Sequence, residues 1–526
     1  MSTARYRGAR FNPPARFPAS RTRREARPKG ATHRQQVPRN CIALVLLAGC
    51  LASLGRTRAA TFQVGPTRAS HTVASLPALN PGDVVEIDPA TYNEVKRWTR
   101  SGTAVSNIIV RGVGASRPVF DAAGLGVSGA LPNPRAVFQI EANYITVENI
   151  EFKNARNGDN GAGIRVTAGD NVAIRNCKIT ACDMGIMCDN NSNLLIEASE
   201  IAFNGTPLYD GYSHNLYLGG NNSTLRFCYI HDSQNGQNFK SRAHYTELLY
   251  NYIADSQDGE IGLVDASETT AVNSHAVMIG NIVISKPRLS GYNSGRFIQF
   301  GQDSGLQHRG TLFAFNNTFI AGDGRVQFLS ANSTGSTVVA VNNIFYGSGN
   351  IVGTLGGGIS GSNNWAQATA NVPATFSGTV RGSDPGFINR AGLNLHLTAA
   401  SACRNQGSSV LSYLDGTGLP HSGIPAFEYV NHLQNRARRA DGQLDLGAYE
   451  YRVPELTSLR LIGNDCFLDF SAVAGNQYEL HRANDLAAGN WVSAITNIPG
   501  IDGVIEIIDM NGAGQPRRFY RMKASL

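Results

Sequence analysis

The sequence predicts an all-β chain: a right-handed parallel β-helix followed by a small C-terminal β-sandwich. Three observations predict it. Short apolar-alternating runs recur at roughly one coil's spacing, no segment shows a convincing 3.6-residue period, and Gly is abundant (57 of 526 residues) while charged residues are only 16%. Helical bundles need many more Glu, Lys and Leu than this.

The elements follow in order. Residues 1–40 hold ten Arg and one Lys against the single acid Glu25, a local charge of +10. The whole chain is +7, so the remainder carries −3, and the basicity belongs to the leader. A nucleic-acid-binding role for the folded part is excluded on that ground. The apolar run Cys41–Gly55 that follows is the length of a secretory h-region and short for a membrane span. Residues 1–60 are therefore expected to be a basic leader and signal peptide, with export of a mature chain that has no transmembrane span. Two cleavage sites compete: the lipoprotein-like "LAGC" ending at Cys50, and "RAA" ending at Ala60, which is preferred because the apolar run continues past Cys50. Six Cys follow the leader without any C-x-x-C pair, which argues against zinc; Cys177 and Cys228 are expected as stacked interior residues.

Residues 61–452 carry the repeat. "YITVENIEFKNA", "NVAIRNCKITAC", "NLLIEASEIAFN", "STLRFCYIHDS", "TELLYNYIADS", "HAVMIGNIVISK", "TLFAFNNTFIAG" and "TVVAVNNIFYGS" share an alternation closed by Phe152, Ile179, Ile201, Ile230, Ile253, Ile284, Ile320 and Tyr346. A drifting coil-length period separated by Gly, Asn and Asp turns describes stacked parallel strands. Asn149, Asn176, Asn281, Asn317 and Asn343 fall at one register, as stacked amides do. The segments Ser383–Ser409 and Asp441–Tyr451 resemble the far end of secreted bacterial β-helix proteins, and that resemblance implies that they close the helix, with His396 a turn or core residue. Beyond "VPEL", residues 455–526 read as alternating strands and turns on no coil period, a small sandwich similar to fibronectin-like modules and without chemistry of its own.

The candidate site lies in "SHNLYLGG", "NFKSRAH", "GEIGLVDASE" and "GRFIQFGQD". Alternate residues of a coil face inward and outward. Burying Phe239 and Ser241 sends Lys240 and Arg242 outward; burying Leu216 and Leu218 sends Asn215 and Tyr217 outward. A 25-residue coil would stack Asn215 under Lys240 and Tyr217 under Arg242. His214 shares the leucines' parity and reaches the outer face only if the chain bends. Asp265, Arg296 and Gln299 extend the same polar face over about four coils, a shape suited to an extended sugar chain. His231, His244 and His275 read as turn or strand-end residues.

The pattern "SHNLYLGG…HDSQNGQNFKSRA…YNYIADS" resembles exported bacterial right-handed β-helix proteins related to polysaccharide lyases (chondroitinase-B-like and alginate-lyase-like) and uronate epimerases. The resemblance spans Thr61–Tyr451 and implies a monomer acting on an acidic, uronate-containing polysaccharide by β-elimination. An Arg at a position like that of Arg242 is shared with those proteins; their Lys base lies on a neighbouring coil, whereas here Lys240 shares the strand with Arg242. The parts the reaction requires are a cation on the uronate carboxylate, a base and a donor to the leaving oxygen. Arg242, Lys240, Tyr217 and His214 supply them, with Asn215, Asp265, Arg296 and Gln299 binding substrate. No cofactor is required; calcium stays open through Asp255, Asp258, Glu260 and Asp265, whose spacing matches no metal loop. The rival readings are a non-catalytic carbohydrate-binding or adhesin-like protein, and a glycoside hydrolase or uronate C5-epimerase on the same fold.

Overall fold

The computed structural model describes residues 5–7, 59–130, 133–209, 211–287, 296–324, 327–440 and 442–525. Most of the leader, including Cys41–Gly55 and Cys50, lies outside the described residues. From Ala60 to Gly382 the chain winds as a parallel β-helix. Among the described residues its coils build three parallel sheets of 13, 12 and 11 strands. The first runs from Thr61–Val64 to Phe376–Ser377, the second from Thr91–Tyr92 to Val380–Gly382, and the third from Lys96–Trp98 to Ala370–Asn371.

The alternation in the sequence becomes columns in the interior. Val85, Val110, Val147, Ile174, Ile196, Leu225 and Leu248 stack in register in the first sheet, all fully shielded. Phe120, Phe152, Ile179, Ile201, Ile230 and Ile253 do so in the second. Between these two sheets nine successive coils turn through one residue of positive φ: Asn149, Asn176, Ala198, Phe227, Tyr250, Gly280, Asn316, Asn342 and Asn363. Left-handed backbone costs an ordinary L-residue about 1–2 kcal/mol, and least for Gly and Asn, which accounts for much of the Asn content at this corner.

The single Asn register expected from sequence is in fact two. Asn149 and Asn176 hold the corner, where the Asn176 amide donates to Asn149 Oδ1 at 3.1 Å. One position further on, Asn251, Asn281, Asn317, Asn343 and Asn364 form a fully buried ladder, each Nδ2 donating to the next Oδ1 at 2.9–3.1 Å. The expected closing residues slip likewise: Val283, Phe319 and Phe345 continue the inner column, while Ile284, Ile320 and Tyr346 face outward. The strands Ile282–Ile284 and Thr318–Ile320 are buried on both faces, so their alternation carries no phase to read. Asn317 accepts from both the backbone N–H and the amide of Asn281. Asn317→Ala strands those two buried donors, and a loss of about 3 kcal/mol of unfolding free energy is expected in a denaturant titration. A change below about 1 kcal/mol would mean that the ladder contributes little net stability.

What covers those outer faces is the segment after Gly382. Expected to close the end of the helix, it runs back along the side. Phe387, Leu395, Leu397 and Leu446 cover Ile284, Ile320 and Ile344. Leu411 and Phe427 cover Phe227, Tyr250, Phe313 and Phe315. The Ala426 N–H donates to Tyr250 Oη at 2.9 Å, and the Asn316 amide donates to the Asp445 carbonyl at 2.8 Å. Beyond it stands a two-sheet sandwich. Leu456–Ile462, Asp465–Ala472 and Gly503–Asp509 form one sheet, extended by Arg5–Arg7, which pairs antiparallel with Glu506–Ile508. Gln477–Ala483, Val492–Pro499 and Phe519–Ser525 form the other. His396 is buried, lies 3.8 Å from the Tyr449 ring, and meets Asp502 of the sandwich at 3.1 Å, which makes it a structural latch. All six described Cys are free and buried; Cys177 and Cys228 point into the interior column that Ser199 and Asn251 continue.

Candidate active site

The third sheet carries the site on its outer face. Its strands Met184–Cys188, Leu216–Leu218, Phe239–Ser241, Ile261–Val264 and Arg296–Gly301 are neighbours in order. In register, Met187 stands beside Tyr217, Tyr217 beside Lys240, Lys240 beside Gly262, and Gly262 beside Gln299. Tyr217 therefore pairs in strand register with Lys240 and not with Arg242, which reaches it only through its side chain: the coil here is 23 residues, two fewer than expected. A slip of two leaves inward and outward parity untouched, so the hydrophobic pattern could not reveal it.

Two consecutive inward residues open each of these strands, and this bend reassigns two predicted residues. Asn215 is not outward. It is fully buried in a polar ladder, accepting from the Asn204 amide at 2.9 Å and donating to Asn238 Oδ1 at 2.8 Å. Asn238 in turn donates to the buried Glu260 at 2.7 Å. His214, one residue earlier, is thereby brought to the Tyr217 side, its ring 5.6 Å from that ring. Its Nδ1 accepts the Gln237 N–H at 3.0 Å. Burial first, and the positive charge of Lys240, hold the imidazole well below its ordinary range, so it is neutral with its proton on Nε2.

Lys240 is only 7% exposed. The bare Gly262 beside it makes room on the face, since a Cβ there would stand 2.8 Å from the Gln237 amide. The Lys240 ammonium reaches Asp303 Oδ2 at 3.1 Å. Arg242 converges on the same oxygen through Nη2 at 2.6 Å and donates through Nε to Tyr217 Oη at 2.9 Å. Its Nη1 also donates to the Asp265 carbonyl. Burial lowers the Lys240 ammonium below its usual range; Asp303 opposes that shift and Arg242 adds to it. Desolvation is the larger cause, ahead of the like charge of Arg242. For Asp303, burial pushes the carboxyl up, but Lys240 and Arg242 together hold it below the usual carboxylate range.

Asp265, expected to line the groove, is fully buried and serves the loop above it. Its Oδ1 accepts the N–H groups of Asp303 and Ser304 at 2.6 and 2.8 Å, and its Oδ2 that of Leu306 at 2.6 Å. Gln299 holds its predicted column and donates to the Gln302 carbonyl at 2.9 Å. Arg296 begins its strand in register with Gln327; its side chain lies outside the described residues. Of the calcium candidates, Glu260 is spent on the Asn ladder and Asp265 on backbone amides. Among the described residues no three His, Cys, Asp or Glu side chains gather as metal ligands.

The three histidines of Ser213–His244 do not converge. His231 ends a strand of the second sheet, its Nδ1 2.8 Å from Asp232. His244 stands at the groove's rim between the carbonyls of Glu268 (3.2 Å) and Gly416 (2.9 Å). The residue that sequence reading passed over is Asp303. Its signal was present in "FGQDSG": an acid bracketed by two glycines directly after an outward strand, where Gly301 takes φ +122° with Asn332 too close for a Cβ. Alongside the cation pair opens a groove of about 420 Å³, lined by Asp189, Asn190, Tyr217, Arg242, Ala266 and Glu268 among others.

His308 closes the loop. It lies 4.5 Å from the Phe300 ring and donates from Nε2 to the Ser274 carbonyl at 3.1 Å, while its Nδ1 is buried without a partner. Burial pushes its pKa down to about 4, against 6.5 when unfolded. The unfolded chain therefore takes up a proton that the native state refuses, and stability falls as pH drops from 6.5 toward 4. The loss is complete once the pH falls below about 4. His308→Gln keeps a donor for Ser274 and should flatten that part of the pH–stability curve. Identical slopes in wild type and variant would refute the assignment.

Residues 132–217 match a protein-family model described as a right handed beta helix region. No curated protein matches the chain. Among solved structures, a pectate lyase, Pel9A, aligns over 76% of this chain and 98% of its own, at 15% identity and TM-score 0.48. An alginate lyase from Paenibacillus sp. str. FPU-7 aligns over 57% and 97%, at 15% identity and TM-score 0.32. A GH136 lacto-N-biosidase from Eubacterium ramulus aligns over 61% and 65%, at 12% identity and TM-score 0.34. At such identities and scores, none of these proteins lends this chain its activity.

Proposed function

We propose that the protein is an exported lyase that cleaves a uronate-containing polysaccharide by β-elimination. The observation that carries the reading is the convergence of Lys240 and Arg242 beside Tyr217 on the outer face of the third sheet, next to the groove that Tyr217 and Arg242 line, with Lys240 desolvated. The proton beside a uronate carboxylate is removable only once that carboxylate is neutralised, and Arg242 is placed to pair with it. Lys240, its ammonium disfavoured by burial, accepts the proton. Tyr217 Oη accepts from Arg242 Nε, so its own O–H is left to donate to the departing glycosidic oxygen. His214 is a neutral neighbour that orders Tyr217. No step needs a metal ion.

Two observations bear on the rivals. The hydrolase reading loses Asp265 to backbone amides and would have to rest on Asp189 and Glu268, which line the groove beside Arg242. The satisfied Asp303 ion pairs favour the second reading, a carbohydrate-binding surface without turnover. Export rests on the Arg-rich leader and the run Cys41–Gly55. The Ala60 N–H donates to the buried Asp83 at 2.8 Å, so a cut after Ala60 would remove an anchor of the first coil, which favours cleavage upstream. The test is incubation of the purified protein with alginate, pectate and glycosaminoglycans while following the ultraviolet absorbance of the unsaturated product. New absorbance is the expected result. Reducing ends without absorbance would make it a hydrolase, and binding alone would make it a binding protein.

A further inference from the structure

We propose that Asp303 is a specificity-determining residue, an internal carboxylate that occupies the Lys240–Arg242 cation pair until the carboxylate of an acidic sugar displaces it. The inference rests on the uronate reading of the site and adds a competitor to it. One oxygen, Oδ2, takes both cations, at 3.1 Å from Lys240 Nζ and 2.6 Å from Arg242 Nη2. The two donors are thus already arranged around the position of a carboxylate oxygen. A ligand's carboxylate fits there only if Asp303 leaves.

The loop is built so that the side chain can leave while the backbone stays. Asp303, Ser304 and Leu306 give their N–H groups to Asp265, and the Gln302 N–H is accepted by Asn332 at 2.7 Å. None of these bonds uses the Asp303 carboxylate. Residues 302–307 are exposed, and the Asp303 side chain keeps 29% of its accessible surface. Rotation about its χ1 carries the carboxylate into solvent without breaking one of the loop's backbone bonds.

The chemistry follows from the exchange. A carboxylate replacing a carboxylate on the same two donors gains little by itself. A single uronate unit therefore binds weakly, and affinity has to come from further sugar units along the groove. A neutral sugar offers no anion and leaves Asp303 in place. With Asp303 removed Lys240 loses its paired carboxylate and Arg242 keeps only the more distant one of Asp265 at 3.8 Å, so the pair favours acidic sugars.

The experiment is calorimetric titration of the full chain, wild type, Asp303→Asn and Asp303→Ala, with galacturonate, guluronate and glucuronate oligomers and with a neutral cello-oligomer of equal length. Melting curves identify any variant that fails to fold, and two substitutions guard against that outcome. Both variants should bind a uronate oligomer about tenfold more tightly than wild type, the scale of one charge-assisted contact regained, with the neutral oligomer unaffected. Variants that bind the uronate equally or more weakly than wild type would overturn the inference and leave the lyase reading intact, with Asp303 then a fixed counterion that positions Lys240 and Arg242. If neither wild type nor variant binds any uronate oligomer, both the inference and the reading of the site fall.

Discussion

Lys240→Ala should lower turnover by about 10²–10⁴-fold while leaving substrate affinity nearly unchanged, because a base acts on the barrier more than on the bound ground state. Lys240→Arg should be as slow. It keeps a cation for Asp303, but a guanidinium stays protonated across the working range and cannot take up the proton. The fold should survive in either variant, since Lys240 lies outside the apolar interior column and its partner Asp303 keeps Arg242, and melting curves check this. Single-turnover rates alongside equilibrium binding check the split. Wild-type turnover in Lys240→Ala would place the base elsewhere. His214 is then a poor substitute, because its Nδ1 lone pair is already engaged by the Gln237 N–H, and Tyr217 becomes the next residue to test.

Arg242→Gln should cost about 10³-fold or beyond in kcat/KM, and unlike Lys240→Ala should raise KM as well, because a carboxylate clamp acts in the ground state and in the transition state. The pH profile separates this role from a merely structural one. Arg242 adds to the depression of the Lys240 ammonium, and the base works only when deprotonated. Removing a positive neighbour raises the Lys240 pKa, so the acidic limb of kcat/KM moves to higher pH in Arg242→Gln. Asp303 pulls the other way, so Asp303→Asn moves the limb to lower pH. Shifts in the same direction for the two variants, or none, would show that Lys240 is not the group that titrates.

The β-helix was legible because burial imposes a period of two on each strand and a coil-length period on the chain. Parity was enough to bury Phe239 and Ser241 and to put Lys240 on the outer face. It could not set the register of Tyr217, because a slip of two preserves parity, and it could not foresee the double inward step that turns Asn215 into the core and brings the buried His214 beside Tyr217. Asp265 illustrates a further limit. Its position was predicted, but its partners are the backbone amides of a loop 38 to 41 residues later, and no local pattern announces such a contact. The closing residues from Ile284 onward failed for the opposite reason. Both faces of those strands are apolar because a distant segment lies on one of them, and sequence alone does not say which.

That distant segment changes how the molecule should assemble and come apart. A solenoid held only by contacts between adjacent coils folds and frays like a one-dimensional array, one coil at a time. Here Gly416 is tied to His244, 172 residues earlier, and Ala426 to Tyr250, 176 residues earlier. Coils in the middle of the stack acquire their outer cover only after the C-terminal third of the chain has been made and folded back. Long-range closures of this kind slow the last stage of folding, because loop entropy must be spent before the contact forms. Once formed, they join the middle coils and the C-terminal leg into one cooperative unit. Amide exchange in Tyr245–Leu249 and Ala276–Ile279 should then report global opening, with no independent fraying of the coils that carry the cation pair.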